Sequence, residues 1–347
     1  MEKILLTLAV YSLDLPEYAC ARLRLLGPAE ALGGQVTVRW AARSNGRDYA
    51  ISQEAMDGAD LIIFQRYFPM QGTWPLVEEA LGSGIPVVYE TDDNFLAVPE
   101  DHPLRERLGP VEPFARELLA RAFCVTVATA ELKRAFAGLA RRVEVLPNLV
   151  DESLWAGPGP VDQEPLKVVF AGTPTHGADL GQVAEGLAQV ARRHPDKVRF
   201  IMLGCGEVPG LAAETLGFSF DYPDYAARLA GLRPDIGLAP LADNPFNRCK
   251  SAVKWLEYSA LGAPGIYADL PPYGPVKHEV NGLKAGAEPG QWAQALERLV
   301  LDREFRLALG ERARREVLGR FGLKAGAKAY LRLWQSIKDE WDERGRI

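Results

Sequence analysis

Short apolar runs alternate with longer amphipathic stretches along almost the whole chain. Residues 3–10 (KILLTLAV), 60–64 and 86–90 have the composition of buried strands, and 35–40 alternates with a period of two. Helical spacing fills 19–32 and 73–81, the second stopped by Gly82-Ser83-Gly84. Strands at 124–128 and 143–146 and helices at 112–121 and 129–136 continue the rhythm. Pro147-Asn148 closes this half, and the Gly/Pro-rich piece 156–165 (AGPGPVDQEP) reads as a linker. A second alternation follows. Its expected strands are 166–170, 198–203, 217–220, 235–240 and 265–268; its expected helices are 178–193, 222–229, 251–261, 291–300 and 303–317. A last helix, 324–341, carries Tyr330, Leu333, Trp334 and Trp341 and is long enough to cross back onto the first half. The fold class expected from this rhythm is α/β, with two Rossmann-like, doubly wound domains facing a central cleft. They span 1–155 and 156–322, and 323–347 is a C-terminal helix packing back toward the N-terminal domain.

Composition narrows the functional classes. A length of 347 residues suits two domains, and 48% hydrophobic with 25% charged residues is a globular balance. A net charge of −6 argues against a general nucleic-acid binder. Cys20, Cys124, Cys205 and Cys249 are scattered, with no C-x-x-C pair and few histidines, so neither a zinc site nor a disulfide framework is expected. Residues 3–10 are too short for an export signal, and no apolar run approaches a membrane span. A cytoplasmic protein is expected, with peripheral membrane contact left open.

Ligands of doubly wound sheets bind beyond the carboxyl ends of the strands, so the loops after strands are the places to search. Within 240–266, Asn247, Lys250, Ser251, Lys254 and Glu257 gather where a strand gives way to a helix. Lys250, Lys254 and Glu257 are spaced to share one helix face, suited to a phosphorylated sugar or, more plainly, to a solvated helix end with an ion pair. Gly172, Thr173 and His176 lie in a turn leaving the first strand of the second half. The glycine permits close backbone approach, and hydroxyls beside a helix start favour phosphate. In the first half, Asp92 and Asp93 follow the strand at 86–90 as candidate base, hydroxyl acceptors or turn residues. His102 lies in reach of the same loop. Gln65 and Arg66 follow another strand, and Arg22 and Arg24 sit early in the first helix, where an arginine can meet an acidic acceptor or a phosphate. Gly204-Cys-Gly206 resembles a dinucleotide fingerprint with the wrong spacing and reads as a simple turn.

Two stretches carry a resemblance. Val145-Leu-Pro-Asn-Leu-Val-Asp151 is similar to the interdomain "PNGVD" segment of retaining GT-B glycosyltransferases, with Leu149 in place of the glycine. Leu256-Glu-Tyr-Ser-Ala-Leu-Gly-Ala-Pro264 resembles their donor-site helix. The resemblance covers nearly the whole chain and implies sugar transfer from a nucleotide-diphosphate donor to a hydroxyl acceptor, a glycan, lipid-linked sugar or small molecule, as in polysaccharide biosynthesis. It implies retention, no metal and no resident cofactor. Glu257 would grip the donor ribose, and Gly172, Thr173, His176, Asn247, Lys250, Ser251 and Lys254 would complete the donor site. Arg22, Gln65, Arg66 and His102 would face the acceptor, and Asp92, Asp93 and Lys250 would act at the reacting centre. The chain departs from the pattern at Cys249, where many relatives carry a second glutamate, and it lacks their clear Arg/Lys diphosphate pair. Lys250, with Lys254, is expected to supply that charge. An inverting enzyme would use Asp92 or Asp93 as base, whereas in a retaining one the leaving phosphate takes the proton. A non-catalytic two-domain sugar- or nucleotide-binding protein and a GT-B nucleotide-sugar epimerase are the alternatives.

Overall fold

The computed structural model of the chain describes residues 5–44, 49–155, 157, 159–160, 162 and 164–345. Part of the expected linker (156, 158, 161 and 163) and the start of the expected first strand (3–4) lie outside the described residues. The chain divides into two compact units. One comprises Met1–Leu149, Cys249–Ser251 and Leu323–Ile347; the other comprises Val150–Arg248 and Ala252–Gly322.

The first unit is built from β1 (Leu6–Tyr11), β2 (Val36–Trp40), a small antiparallel hairpin of β3 (Ala42–Ser44) and β4 (Tyr49–Ile51), then β5 (Leu61–Gln65), β6 (Val87–Thr91), β7 (Cys124–Val127) and β8 (Val143–Val145). Apart from the hairpin these strands form one sheet in the order β2-β1-β5-β6-β7-β8, with every pairing parallel. Strands β5, β6 and β7 are buried at every residue, which is why they read as continuous apolar runs rather than alternating ones. The final helix, Leu323–Arg344, inserts Leu323, Ala327, Tyr330, Leu331, Trp334 and Ile337 into the same core as Leu8, Val10, Leu61 and Ile63.

The second unit repeats the architecture with β9 (Leu166–Ala171), β10 (Val198–Leu203), β11 (Ala213–Leu216), β12 (Ile236–Ala239), β13 (Gly265–Ala268) and β14 (Leu283–Ala285), in the order β11-β10-β9-β12-β13-β14. All its pairings are parallel. In each unit the strand order reverses once, between β1 and β5 in the first and between β9 and β12 in the second. Beyond the carboxyl ends of the strands at such a reversal, neighbouring connections leave in opposite directions and open a crevice.

Several expectations are corrected. The third strand of the second sheet is Ala213–Leu216, not 217–220. Phe218 and Phe220 instead pack edge to face, 4.9 Å between centroids, with Phe220 exposed. The helix expected over 178–193 is two pieces, Gly177–Gly181 and Ala184–Arg193, preceded by a tight turn over Pro174–His176. A helix of five residues offers little dipole to a phosphate, so the turn at 172–176 gains little from the helix start that follows it. Above all, the helix expected over 251–261 begins at Val253. Lys250 and Ser251 precede it, group with the first unit, and do not share a helix face with Lys254 and Glu257.

Candidate active site

At the reversal in the first unit, Arg66 is the centre of a charged cluster. It follows β5 with φ 56°, a left-handed conformation that non-glycine residues seldom hold without compensation. Its NH1 donates to Asp14 Oδ2 (2.8 Å) beyond β1, and its NH2 to Asp93 Oδ2 (2.6 Å) beyond β6. Its Nε lies 3.0 Å from Asp92 Oδ1 as an ion pair without hydrogen-bond geometry. The Tyr67 hydroxyl donates to the other Asp14 oxygen (2.5 Å), and its proton is held all the more tightly through burial and the Asp14 charge. Lys250 Nζ reaches Asp93 Oδ1 at 3.7 Å. Burial alone would raise the Asp93 carboxyl, but Lys250 and Arg66 overcome it and hold the group below the usual carboxylate range. A carboxylate so held is a good hydroxyl acceptor and a weak base.

The tripeptide that carries Lys250 is fixed within this unit by three further contacts. Thr129 Oγ1 donates to the Cys249 carbonyl (2.9 Å), Asn94 Nδ2 to Cys249 Sγ (3.5 Å), and Asn148 Nδ2 to Ser251 Oγ (2.9 Å). Asn148 accepts in turn from Arg24 NH1 (3.0 Å). Arg24 is fully buried and paired with Glu90 at 2.7 Å; Glu90 also accepts from Thr126. Burial raises the Glu90 carboxyl against the pull of Arg24. Tyr330 of the last helix donates to the Pro147 carbonyl (2.9 Å).

The other acceptor-side candidates are placed differently. Arg22 forms a two-pronged pair with Glu30 at the surface (2.8 and 2.7 Å). Gln65 is buried, its amide donating to the Cys20 carbonyl (3.1 Å) and its Oε1 without a partner among the described residues. His102 Nδ1 accepts from the Leu104 amide (3.1 Å), and the ring adds a smaller pull on Asp93. Asp14 was missed. It lies just past a strand, where the same search rule applied to 11–14 would have found it.

At the reversal in the second unit, β9 runs into Ala171-Gly172-Thr173. A side chain at Gly172 would begin 3.1 Å from Lys254 Nζ, 3.1 Å from His176 Cδ2 and 3.2 Å from Phe170 Cε1, so glycine leaves open a spot where an ammonium and an imidazole converge. Lys254 also lies over the Phe170 ring (5.3 Å), and His176 meets that ring edge-on. His176 Nδ1 is 2.6 Å from Asp179 Oδ2. Asp179 is buried, and its other oxygen accepts from the Ala242 amide (2.7 Å) and Asn247 Nδ2 (3.4 Å) beyond β12. Thr173 and Thr175 share a hydroxyl hydrogen bond (2.7 Å). Gly204 has φ 96°, and a Cβ there would lie 2.3 Å from the Gly172 carbonyl oxygen, so this glycine serves the close packing of two turns.

Glu257, on the helix Val253–Ala260, is 4% exposed. Its two oxygens accept from the hydroxyls of Tyr222 (3.0 Å) and Tyr225 (2.9 Å), which stack on each other and pack against Trp155. Burial pushes its carboxyl up to about 7, against the pull of Lys254 and the two phenols.

The fold is GT-B, the two-domain architecture of many glycosyltransferases. Solved structures that share it include a sucrose-phosphate synthase from Thermosynechococcus elongatus, at TM-score 0.70 and 15% identity over 96% of this chain and 99% of that one. A glycosyltransferase from Rickettsia africae ESF-5 matches at TM-score 0.65 and 11% identity, covering 96% and 98%. Anabaena HepE, solved with UDP-glucose, matches at TM-score 0.63 and 16% identity, covering 95% and 99%. No protein-family profile matches the chain, and no curated protein sequence matches it significantly. No helix among the described residues is long and apolar enough to cross a membrane.

Proposed function

We propose that the protein is a cytoplasmic glycosyltransferase that moves a sugar from a nucleotide-diphosphate donor to a hydroxyl acceptor, with retention and without a metal or resident cofactor. The observation that carries this reading is the convergence of Lys254 and His176 on the open spot beside Gly172, at the strand reversal of the second unit. A nucleoside diphosphate leaving group gains negative charge as the glycosidic bond breaks, and a preorganised cation there lowers the barrier. Gly172, Thr173, His176, Asn247 and Lys254 form the donor side in this reading. Glu257 meets the ribose with the acceptor positions that Tyr222 and Tyr225 leave unused, about four being open to the carboxylate once it ionises above its raised value of about 7.

The first unit supplies the acceptor side through Arg66, Gln65, Asp92, Asp93 and Lys250, with Ser251 holding the Lys250 segment. The depressed Asp93 carboxyl supports retention, because a base drawing a hydroxyl proton near neutrality works best with a pKa near the working pH. Surface pairing of Arg22 with Glu30 and capping of a turn by His102 make these two the weakest members of the acceptor group. The carbohydrate or lipid-linked acceptor remains the expected class.

A thermal-shift panel of UDP, GDP, dTDP and ADP with their common sugars tests the donor reading, since a ligand bound only by the folded state raises the melting temperature. A shift with one nucleotide family, followed by transfer to a hydroxyl acceptor with the anomeric configuration kept, is the expected result. Binding without turnover would instead make the chain a binding protein, and turnover of the donor's own sugar an epimerase.

A further inference from the structure

We propose that His176 and Asp179 act as a dyad on the donor diphosphate, with His176 Nε2 as the contacting atom and Asp179 as its positioning residue. This rests on the donor reading above and assigns the second electropositive group that the sequence lacks. Lys254 brings one positive charge, whereas a nucleoside diphosphate carries at least two negative ones. Asn247 is directed at Asp179 and the Ala242 carbonyl, and Thr173 and Thr175 are hydrogen-bonded to each other. The group that meets the same open spot as Lys254 is the His176 ring, and it does so with the edge that bears Nε2, since Cδ2 adjoins that nitrogen.

Asp179 fixes that orientation. Its carboxylate is buried and tied across the strand reversal to the Ala242 amide, so it is set by β12 as well as by its own short helix. An ionised carboxylate accepts only, which makes Nδ1 the donor to Asp179, and the ring meets the diphosphate as the imidazolium, whose Nε2–H donates to a phosphate oxygen. The ring is then held as catalytic and metal-bound histidines are held by a carboxylate behind them, with the far nitrogen presented to ligand. In the transfer step the acceptor oxygen bonds to the sugar C1, and the bond from C1 to the β-phosphate oxygen breaks with its electron pair on that oxygen. The acceptor proton passes to the same phosphate, and His176 and Lys254 hydrogen-bond the charge that develops there.

Calorimetric titration of the full chain with UDP, GDP, dTDP and ADP, each beside its own nucleoside, tests the dyad. His176→Asn keeps a donor toward Asp179 and removes Nε2. It should weaken the diphosphate that binds at least ten-fold and leave the nucleoside unchanged. Asp179→Asn should weaken the diphosphate several-fold with the same nucleoside affinity. Gly172→Ala, whose methyl crowds the shared spot, should also weaken the diphosphate while leaving the nucleoside affinity unchanged. Wild-type diphosphate affinity in His176→Asn overturns the dyad and leaves the donor reading standing. Equal losses for nucleoside and diphosphate overturn it as well, since they report general damage. Failure of all four nucleotides to bind the wild type removes the donor reading, and the dyad with it.

Discussion

Glu257 sits between two phenols, buried enough that its carboxyl titrates near 7 rather than 4.5. The folded state therefore binds this proton more tightly than the unfolded chain. The stabilisation is fully present below about pH 4.5 and is lost as pH rises through 7, worth on the order of 3 kcal/mol. Glu257→Gln should remove that slope, so the stability difference between wild type and variant, followed by denaturant melts from pH 4.5 to 8, should shift toward the variant as pH rises. A pH-independent difference would show that the carboxyl titrates normally. Asp93 makes the opposite case, held ionised by Lys250 and Arg66. If it orients hydroxyls, Asp93→Asn should lower kcat/KM by about 10- to 100-fold, the scale of one or two charge-assisted hydrogen bonds. A general base would lose up to about 10⁴-fold, and its pH profile would lose the corresponding limb. The sequence singled out Glu257, Asp93 and Lys250 by position after strands. It could not show their partners, because Tyr222 lies 35 residues from Glu257 and Asp14 lies 52 from Arg66. Asp179 was closer to hand, three residues from His176 on one turn.

Elements show the same division between what local pattern encodes and what packing decides. Strands β5, β6 and β7 were legible as apolar runs, whereas β14 and the β3–β4 hairpin, three residues each, are too short to carry a period. The first helix widens over Arg22–Leu26, where the Gly27 amide bonds to the Arg22 carbonyl five residues back. A Cβ on Gly27 would lie 2.7 Å from that oxygen, so glycine is required by the wide turn. Arg22 ends in a surface pair with Glu30 and Arg24 in the core against Glu90. Arg24→Met should cost about 3–5 kcal/mol by leaving Glu90 buried and unpaired, while the Arg24→Met/Glu90→Gln double variant should recover part of it. Urea midpoints at constant slope measure both. The Leu149 departure also has a physical account. Leu149 is buried, and a Cβ at Gly326 of the last helix would fall 2.3 Å from its Cδ2, so small helix and large loop residue fit together. Gly326→Ala should then destabilise by about 1–3 kcal/mol through overpacking, against the gain in helix propensity that the same change brings at an open site. A more stable Gly326→Ala variant would rule out that fit.

On the scale of the whole chain, the second unit is nearly an insertion within the first. Residues 150–322 form a parallel sheet with its own core, interrupted only by the tripeptide Cys249–Ser251, while the first unit depends on a helix from the far end of the chain. That dependence is large. Tyr330, Trp334 and Ile337 are almost fully buried in the first unit's core, together with Leu323, Ala327 and Leu331. Removing the five large side chains among these forfeits roughly 1.5–3 kcal/mol each in burial, comparable to the whole stability of an ordinary domain. Truncation after Gly322 should therefore unfold the first unit, and a fragment of 150–322 should fold alone. Calorimetry of the truncated chain should keep one transition, matched in temperature by the fragment, and amide exchange should lose protection in β1, β5 and β6 while β9, β10 and β12 keep theirs. Protection retained in β5 after truncation would show that the first sheet closes its core without the last helix. Because Gly172, His176, Asp179, Lys254 and Glu257 all lie in the fragment's own unit, it should also keep measurable affinity for the nucleotide that the full chain binds.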